Sequence, residues 1–358
     1  MAARHPEEPT ASVGGLTPEL DAWIVAMPKV ELHVHLEGAQ LPETIWAMAQ
    51  RNGVALPAPS LEEWKRFYEF RDFAHFIEVY IAASRAMKTA RDFYEMTVAF
   101  HEYQASQNIV YTEAFLSASL FVDSIVWDAL FEAFAEGCAV GRERHGVEVR
   151  FIPDIARNFP QSKRRVLEFT LAGQKAGVFI GLGLGGLEAG YPPELFIDEF
   201  AEARANGLHV VAHAGEGAGP ESIWGAVESL KAERIGHGIR CLEDPSLVAM
   251  LKERQIPIEV CPTSNYRTGV VPKGTPHPIL EMIEAGLNVT VNSDDPPMFG
   301  TSLTEEYRLL ARYYLSKYSL LAANESAVTS SFVPATDKAR LQALMTQPAE
   351  HSRASAIP

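Results

Sequence analysis

Cysteine is scarce: Cys138, Cys241 and Cys261 are the only three in 358 residues, and no two form a Cys-x-x-Cys pair. A thiolate zinc site and a disulfide framework are excluded, and the three read as buried thiols. No run of eighteen uninterrupted apolar residues exists, the longest candidate being broken by Gln174 and Lys175, so no membrane-spanning helix is expected. Positive charge is the scarcer sign: 31 basic against 46 acidic residues give a net charge of −15. That field repels a polyphosphate backbone and removes long nucleic acid from the partner classes, while saying little about a small molecule in one cleft. Residues 1–15 lack the apolar core of a signal peptide and carry Glu7, Glu8 and two prolines. Residues 1–16 are therefore expected to be a flexible segment and the protein cytoplasmic.

Hydrophobic residues make up 47% of the chain, enough for a sizeable core, and the length is common for one α/β barrel. The stretch Val30-Glu31-Leu32-His33-Val34-His35-Leu36-Glu37-Gly38 alternates apolar and polar residues in its middle. That is the period of a half-buried strand, which places His33 and His35 on one face. Helical spacing follows from Leu41-Pro42-Glu43-Thr44 and over residues 61–70, 73–87 and 91–104, an insertion that forms a cap. Seven more strand-like segments come at 109–115, 148–155, 178–184, 209–213, 234–237, 256–261 and 287–292, with helical stretches between them. Eight strands alternating with helices imply parallel pairing, and eight units close a barrel. The expected fold is a single (β/α)8 TIM-type barrel over residues 17–321, with the helical cap at about 41–104. A C-terminal helical or flexible tail, 322–358, holds at most one helix, near 337–345. An open doubly wound sheet is the competing architecture.

Active sites of such barrels form at the carboxyl ends of the strands, so the strand ends carry the information. Strand one ends in His33-x-His35, strand five in His213-Ala214-Gly215-Glu216, strand six in Gly236-His237-Gly238 and strand eight in Asn292-Ser293-Asp294-Asp295-Pro296. Three imidazoles and a carboxylate, His33, His35, His213 and Asp294, suit Zn²⁺, with Fe²⁺ or Mn²⁺ able to use the same set. Bound zinc lowers the pKa of its water from about 15.7 to about 7. Glu216, three residues past a ligand, is placed to donate a proton to substrate; His237 can hold or deprotonate the water; Asp295 can accept a hydrogen bond from substrate. The plainer alternatives are that Glu216 and Asp295 cap the helices that follow them.

Other signals are weaker. Gly181, Gly183 and Gly186 satisfy Gly-x-Gly-x-x-Gly after a strand, but Glu188 to Pro192 intervene where a dinucleotide-binding helix should open. These glycines are instead expected to let backbone N–H groups approach a flat ligand. His101-Glu102 lacks the second histidine of a zinc-protease helix. His209 shares a face with His213 but starts its strand and reads as structural; His5, His75, His145 and His351 have no ligand partners nearby. His277-Pro278, near a helix start, is ambiguous.

With these residues in place, the chain resembles the adenosine deaminase family of the amidohydrolase superfamily. The matching stretches are Pro28-Lys29-Val30 through Gly38, His213-Ala214-Gly215-Glu216, Arg234-Ile235-Gly236-His237-Gly238, Cys261-Pro262-Thr263-Ser264-Asn265 and Asn292-Ser293-Asp294-Asp295-Pro296, in family order. The resemblance implies one Zn²⁺ per subunit held by His33, His35, His213 and Asp294, with hydrolytic release of a purine 6-amino group. It further implies that Glu216 protonates ring N1, His237 serves the attacking water, Asp295 receives the N7 side, and the Gly186 amide meets N3. No lysine lies in residues 178–186, which agrees with a single metal.

Glu37 stands where adenosine deaminases usually carry Asp at the ribose end, and the loop Gly183 to Glu188 lacks the Asp of many relatives. The leading expectation is a purine nucleoside, adenosine or a 5′-modified relative such as 6-aminodeoxyfutalosine. Adenine is the alternative, because adenine deaminases of this family also use Glu after the His pair. From other classes come a metal-bearing binding protein without turnover and a hydrolase of amides or phosphoesters. Nucleic-acid-editing zinc deaminases are excluded, since their Pro-Cys-x-x-Cys signature is missing.

Overall fold

The computed structural model describes residues 15–346, so the expectations for residues 1–14 and 347–358 lie outside the described residues. Eight strands run parallel in sequence order: β1 Lys29–His35, β2 Ile109–Leu116, β3 Glu148–Ala156, β4 Gly181–Gly185, β5 His209–Ala214, β6 Arg234–His237, β7 Ile258–Val260 and β8 Val289–Val291. Each pairs with the next, and the seam between β8 and β1 closes just past β8. There Val34 bridges Asp294, the His35 N–H donates to the Asp294 carbonyl at 2.9 Å, and the Asp294 N–H donates to the His33 carbonyl at 3.1 Å. This is the expected (β/α)8 barrel, and the strand order rules out the doubly wound sheet.

β1 carries an irregularity that matters for the site. Glu31 pairs with Thr112 and Val34 with Ala114, three steps on one strand against two on the other. The extra residue is a bulge at Leu32-His33, and it reverses which side the following residues face. Without it Glu31 and His35 would share a face. With it, Glu31 packs under the helix Ala90–Ser106, accepting from Gln104 at 2.9 Å, while the His35 ring lies against Phe115. Phe115 belongs to a buried cluster with Ile152 and Val211, against which Phe332 packs.

After β1 come helices at Pro42–Asn52, Leu61–Tyr68, Phe73–Ala86 and Ala90–Ser106. Phe76 of the third stacks on Phe299 at 4.5 Å between ring centres. β4 starts later than the expected 178, because Val178 is spent on closing the helix before it: its N–H donates to the Gly173 carbonyl at 2.8 Å, with Gly177 left-handed at φ +77°.

The end of the chain departs furthest from expectation. Two helices, Lys317–Ser330 and Ala335–Thr346, replace the single one near 337–345, and the first runs through the expected boundary at 321/322. Its buried stripe, Leu320, Ala323, Asn324, Ala327 and Val328, is made mostly of small residues and includes a polar one, so it stands out little in sequence, and tertiary contacts fix it. Asn324 accepts the Val30 N–H at 3.0 Å and donates to the Pro28 carbonyl at 2.8 Å, tying the helix to the start of β1. Phe332, between the two helices, stacks on His209 with ring centres 4.0 Å apart and under the Arg234 guanidinium at 3.8 Å. His209 is thus structural, as its position implied. A helix not anticipated, Pro18–Ala26, is capped by Thr17 and held by Asp21 against Arg308 at 2.5 Å. Of the thiols, Cys241 and Cys261 are buried but Cys138 only half so. Among the described residues no helix is long and apolar enough to cross a membrane.

Candidate active site

The expected ligands meet at the carboxyl ends of the strands. His33 Nε2 lies 3.5 Å and His35 Nε2 3.3 Å from one Asp294 oxygen, and His213 Nε2 lies 3.2 Å from His35 Nε2. One donor atom each of His33, His213, His237 and Asp294 falls within 4.8 Å of the others.

The outer nitrogens decide whether a metal fits. His33 Nδ1 faces Glu259 Oε2 at 2.8 Å and His213 Nδ1 faces the Leu184 carbonyl at 3.0 Å, both pure acceptors, so each Nδ1 carries the proton. Each Nε2 then presents a lone pair inward, and His33 Nε2 is buried without a hydrogen-bond partner. Converging lone pairs beside a carboxylate fit a divalent cation, with the acceptors behind the rings fixing their orientation. His33, His35, His213 and Asp294 are residues that could hold it.

The supports of this cluster are what motif reading missed. Glu259 also takes the Arg234 Nε–H at 2.6 Å, and Arg234 reaches Glu113 at 2.5 Å. Ser264 donates to Asp294 Oδ2 at 2.6 Å. Arg157 donates to the His213 carbonyl at 2.5 Å. Asp154, on β3, sits buried beside His35 and His213. A charged residue inside the apolar strand Ile258-Glu259-Val260 is the one available signal, since burying a lone carboxylate is costly.

Glu216 does not cap the helix Pro220–Glu228, which starts after Gly219 and has Glu221 on the Gly219 N–H at 3.0 Å. Instead Glu188 takes the N–H groups of Gly215, Glu216 and Ala218 at 2.7–3.0 Å and shapes the turn. Burial, reinforced by Asp294, raises the Glu216 carboxyl to about 8. Its Oε2 is 3.6 Å from His237 Nε2, which in turn lies 4.0 Å from Asp294 Oδ2. Both His237 and Asp294 are left-handed, at φ +61° and +65°. Such strain in non-glycine residues persists only where the surroundings enforce it, and it gathers at working sites.

Asp295 makes no cap bond to the short helix Pro296–Phe299, and its Oδ1 is buried without a partner. A β-carbon on Gly38 would stand 1.6 Å from that oxygen, so glycine is required there. Gly186 needs to be glycine as well: φ is +78° and a β-carbon would meet Asn158 Oδ1 at 2.6 Å. Glu37 is buried, one oxygen accepting the Ser117 N–H at 2.9 Å and the other without a partner.

Residues 28–348 match the family model described as Adenosine deaminase. A Bordetella avium protein named adenine deaminase is 41% identical over 81% of this chain and 92% of its own length. The crystal structure of an adenine deaminase from Arthrobacter aurescens superposes with a TM-score of 0.84 at 35% identity, covering 89% of this chain and 98% of that one. A zinc-bound amidohydrolase from Burkholderia ambifaria gives 0.87 at 28% identity, covering 96% of each. The chain belongs to the adenosine deaminase family, metal-dependent hydrolases of the amidohydrolase type that act on C–N bonds.

Proposed function

We propose that this protein hydrolyses the 6-amino group of adenine, giving ammonia and the 6-oxo purine. The observation that carries the reading is the likeness to the Bordetella avium adenine deaminase, 41% identical over 92% of that protein. It moves the substrate from the nucleoside expected above to the free base. Glu37 supports the move: its unpartnered buried oxygen suits a ring N–H of the base, where a nucleoside carries its sugar.

His33, His35, His213 and Asp294 would hold one Zn²⁺. When bound, the ion supplies Lewis acidity and lowers the pKa of water in the site. The chain's own groups orient and protonate the purine. The Gly186 amide meets N3, Asp295 meets the N7 side, and Glu216 protonates N1, which draws electrons from C6. His237 faces the incoming water. The C6–O bond forms, the C6–N6 bond breaks, and the amine leaves as ammonia.

Ammonia release by zinc-loaded protein from adenine, adenosine and 6-aminodeoxyfutalosine, measured in parallel, tests this. Adenine is expected to lead in kcat/KM by ~100-fold or more. Turnover of the nucleosides alone overturns the substrate. Amide or phosphoester turnover without deamination overturns the reaction.

A further inference from the structure

A buried chain of four groups runs from the start of the helix Ile279–Glu284 to His237. The Ile279 N–H donates to His277 Nδ1 at 3.1 Å. A backbone N–H can only donate, so Nδ1 is an acceptor. Burial holds the His277 imidazolium down to about 3, leaving the ring neutral with its proton on Nε2. That Nε2 faces Asn265 Oδ1 at 3.2 Å and donates to it. The carboxamide is thereby oriented, and its NH₂ faces His237 Nδ1 at 3.3 Å. An amide nitrogen donates, so His237 accepts at Nδ1 and the proton of its neutral ring sits on Nε2.

We propose that His277 and Asn265 are positioning residues that fix His237 as a hydrogen-bond donor, so that His237 holds the attacking water and Glu216 carries the protons. The proposal rests on the deamination reading above. Its warrant is the direction of three successive hydrogen bonds, set at one end by a backbone N–H. His237 Nε2 points to where Glu216 and Asp294 also reach. A nitrogen that already bears hydrogen cannot take one from water.

Proton accounting then closes on Glu216 alone. Its protonated carboxyl gives hydrogen to N1. As a carboxylate it takes one proton from the water whose oxygen bonds to C6, and passes that proton to the amine. The C6–N6 bond breaks with its electron pair leaving on nitrogen as ammonia. The remaining hydroxyl proton returns to Glu216 as the C6 carbonyl forms. The His237 proton stays in place throughout, stabilising charge on the oxygen.

Asn265→Asp is the discriminating variant. Nearly isosteric, it offers His237 an acceptor where there was a donor, moving the ring proton to Nδ1 and baring Nε2. The expected result is a fall in kcat of ~100-fold or more with KM within about threefold and zinc content unchanged, as tautomer errors at catalytic histidines give. His277→Phe, which releases the carboxamide, should fall part of the way. Retained or increased kcat in Asn265→Asp shows that His237 works as a base and overturns the proposal. ¹⁵N NMR of the His237 ring reads the tautomer directly, without turnover. Nδ1 without hydrogen in the wild type is expected, and Nδ1 protonated there overturns the proposal even if a variant fails to fold. If the wild type deaminates nothing while its Nδ1 is bare, the deamination reading fails and the positioning chain stands.

Discussion

The side-chain oxygen of Asn292 accepts the His33 N–H at 3.1 Å, and that of neighbouring Leu32 at 2.9 Å. Two adjacent N–H groups on one acceptor is what a bulge needs, because its extra residue leaves the ladder short of partners. A side chain just past β8 therefore supports the kink that turns His35 to the face opposite Glu31. Asn292→Leu strands both buried donors, at about 1–3 kcal/mol each. We expect a lower Tm and a loss of metal affinity of roughly 10–100-fold, read by chelator competition. Asn292→Asp keeps an acceptor and should fall between.

Glu259 joins His33, a proposed zinc ligand, to the buried Arg234 guanidinium. Glu259→Gln keeps the shape but removes the charge that both His33 and Arg234 face. Breaking a buried ion pair from one side costs roughly 3–5 kcal/mol, so denaturant midpoints should drop. Metal affinity should weaken by roughly 10–100-fold. An unchanged zinc Kd would show that the His33 ring is oriented without Glu259.

Gly38→Ala tests the seat of Asp295. The added methyl would stand 1.6 Å from the carboxylate oxygen, so the carboxyl must turn away. Displacing a binding group by about 1 Å costs on the order of 100-fold in rate. We expect kcat/KM to fall by that order while zinc content is unchanged, since Asp295 is outside the ligand set.

Lys29 gives a pH dependence distant from the ligands. Its Nζ is buried and donates to the Met27 and Gln107 carbonyls, both at 3.0 Å, and burial, helped by Arg308, lowers its pKa to about 7. Unfolded lysine titrates near 10.4. The folded state binds this proton less readily, so stability is fullest above about pH 10 and is lost as pH falls towards 7. Lys29→Met removes the slope. Its stability relative to wild type should rise by a few kcal/mol, on the order of 1.4 kcal/mol per pH unit, between pH 10 and 7. Urea titrations at both pH values measure it, and a constant difference would show that Lys29 keeps its ordinary pKa.

The barrel and its ligand rim were legible because both are written in local patterns. Strands announce themselves by period, and in a barrel every strand end points to one rim, so local sequence is enough to gather His33, His35, His213, His237 and Asp294. The β1 bulge was not legible, because it is defined by register against β2. The supporting roles of Glu259, Asn292 and Glu188 were not legible for a related reason: each acts on backbone or side-chain groups of another segment, met only after folding. His277 was ambiguous in sequence because its meaning lies in Asn265, which faces it only after folding. The helix Lys317–Ser330 escaped because its buried stripe is made mostly of small residues and centres on Asn324, whose grip on β1 appears only after folding.

The closing hydrogen bond between His33 and Asp294 also sets a clock. Their positions differ by 294 − 33 = 261 residues. At roughly 5–20 residues per second, a ribosome spends on the order of 10–50 s between making His33 and making Asp294. Throughout that interval the nascent chain presents histidines without their carboxylate partner and strands without a closed seam. A chain truncated before residue 294 therefore lacks both the seam and the carboxylate that the histidines face.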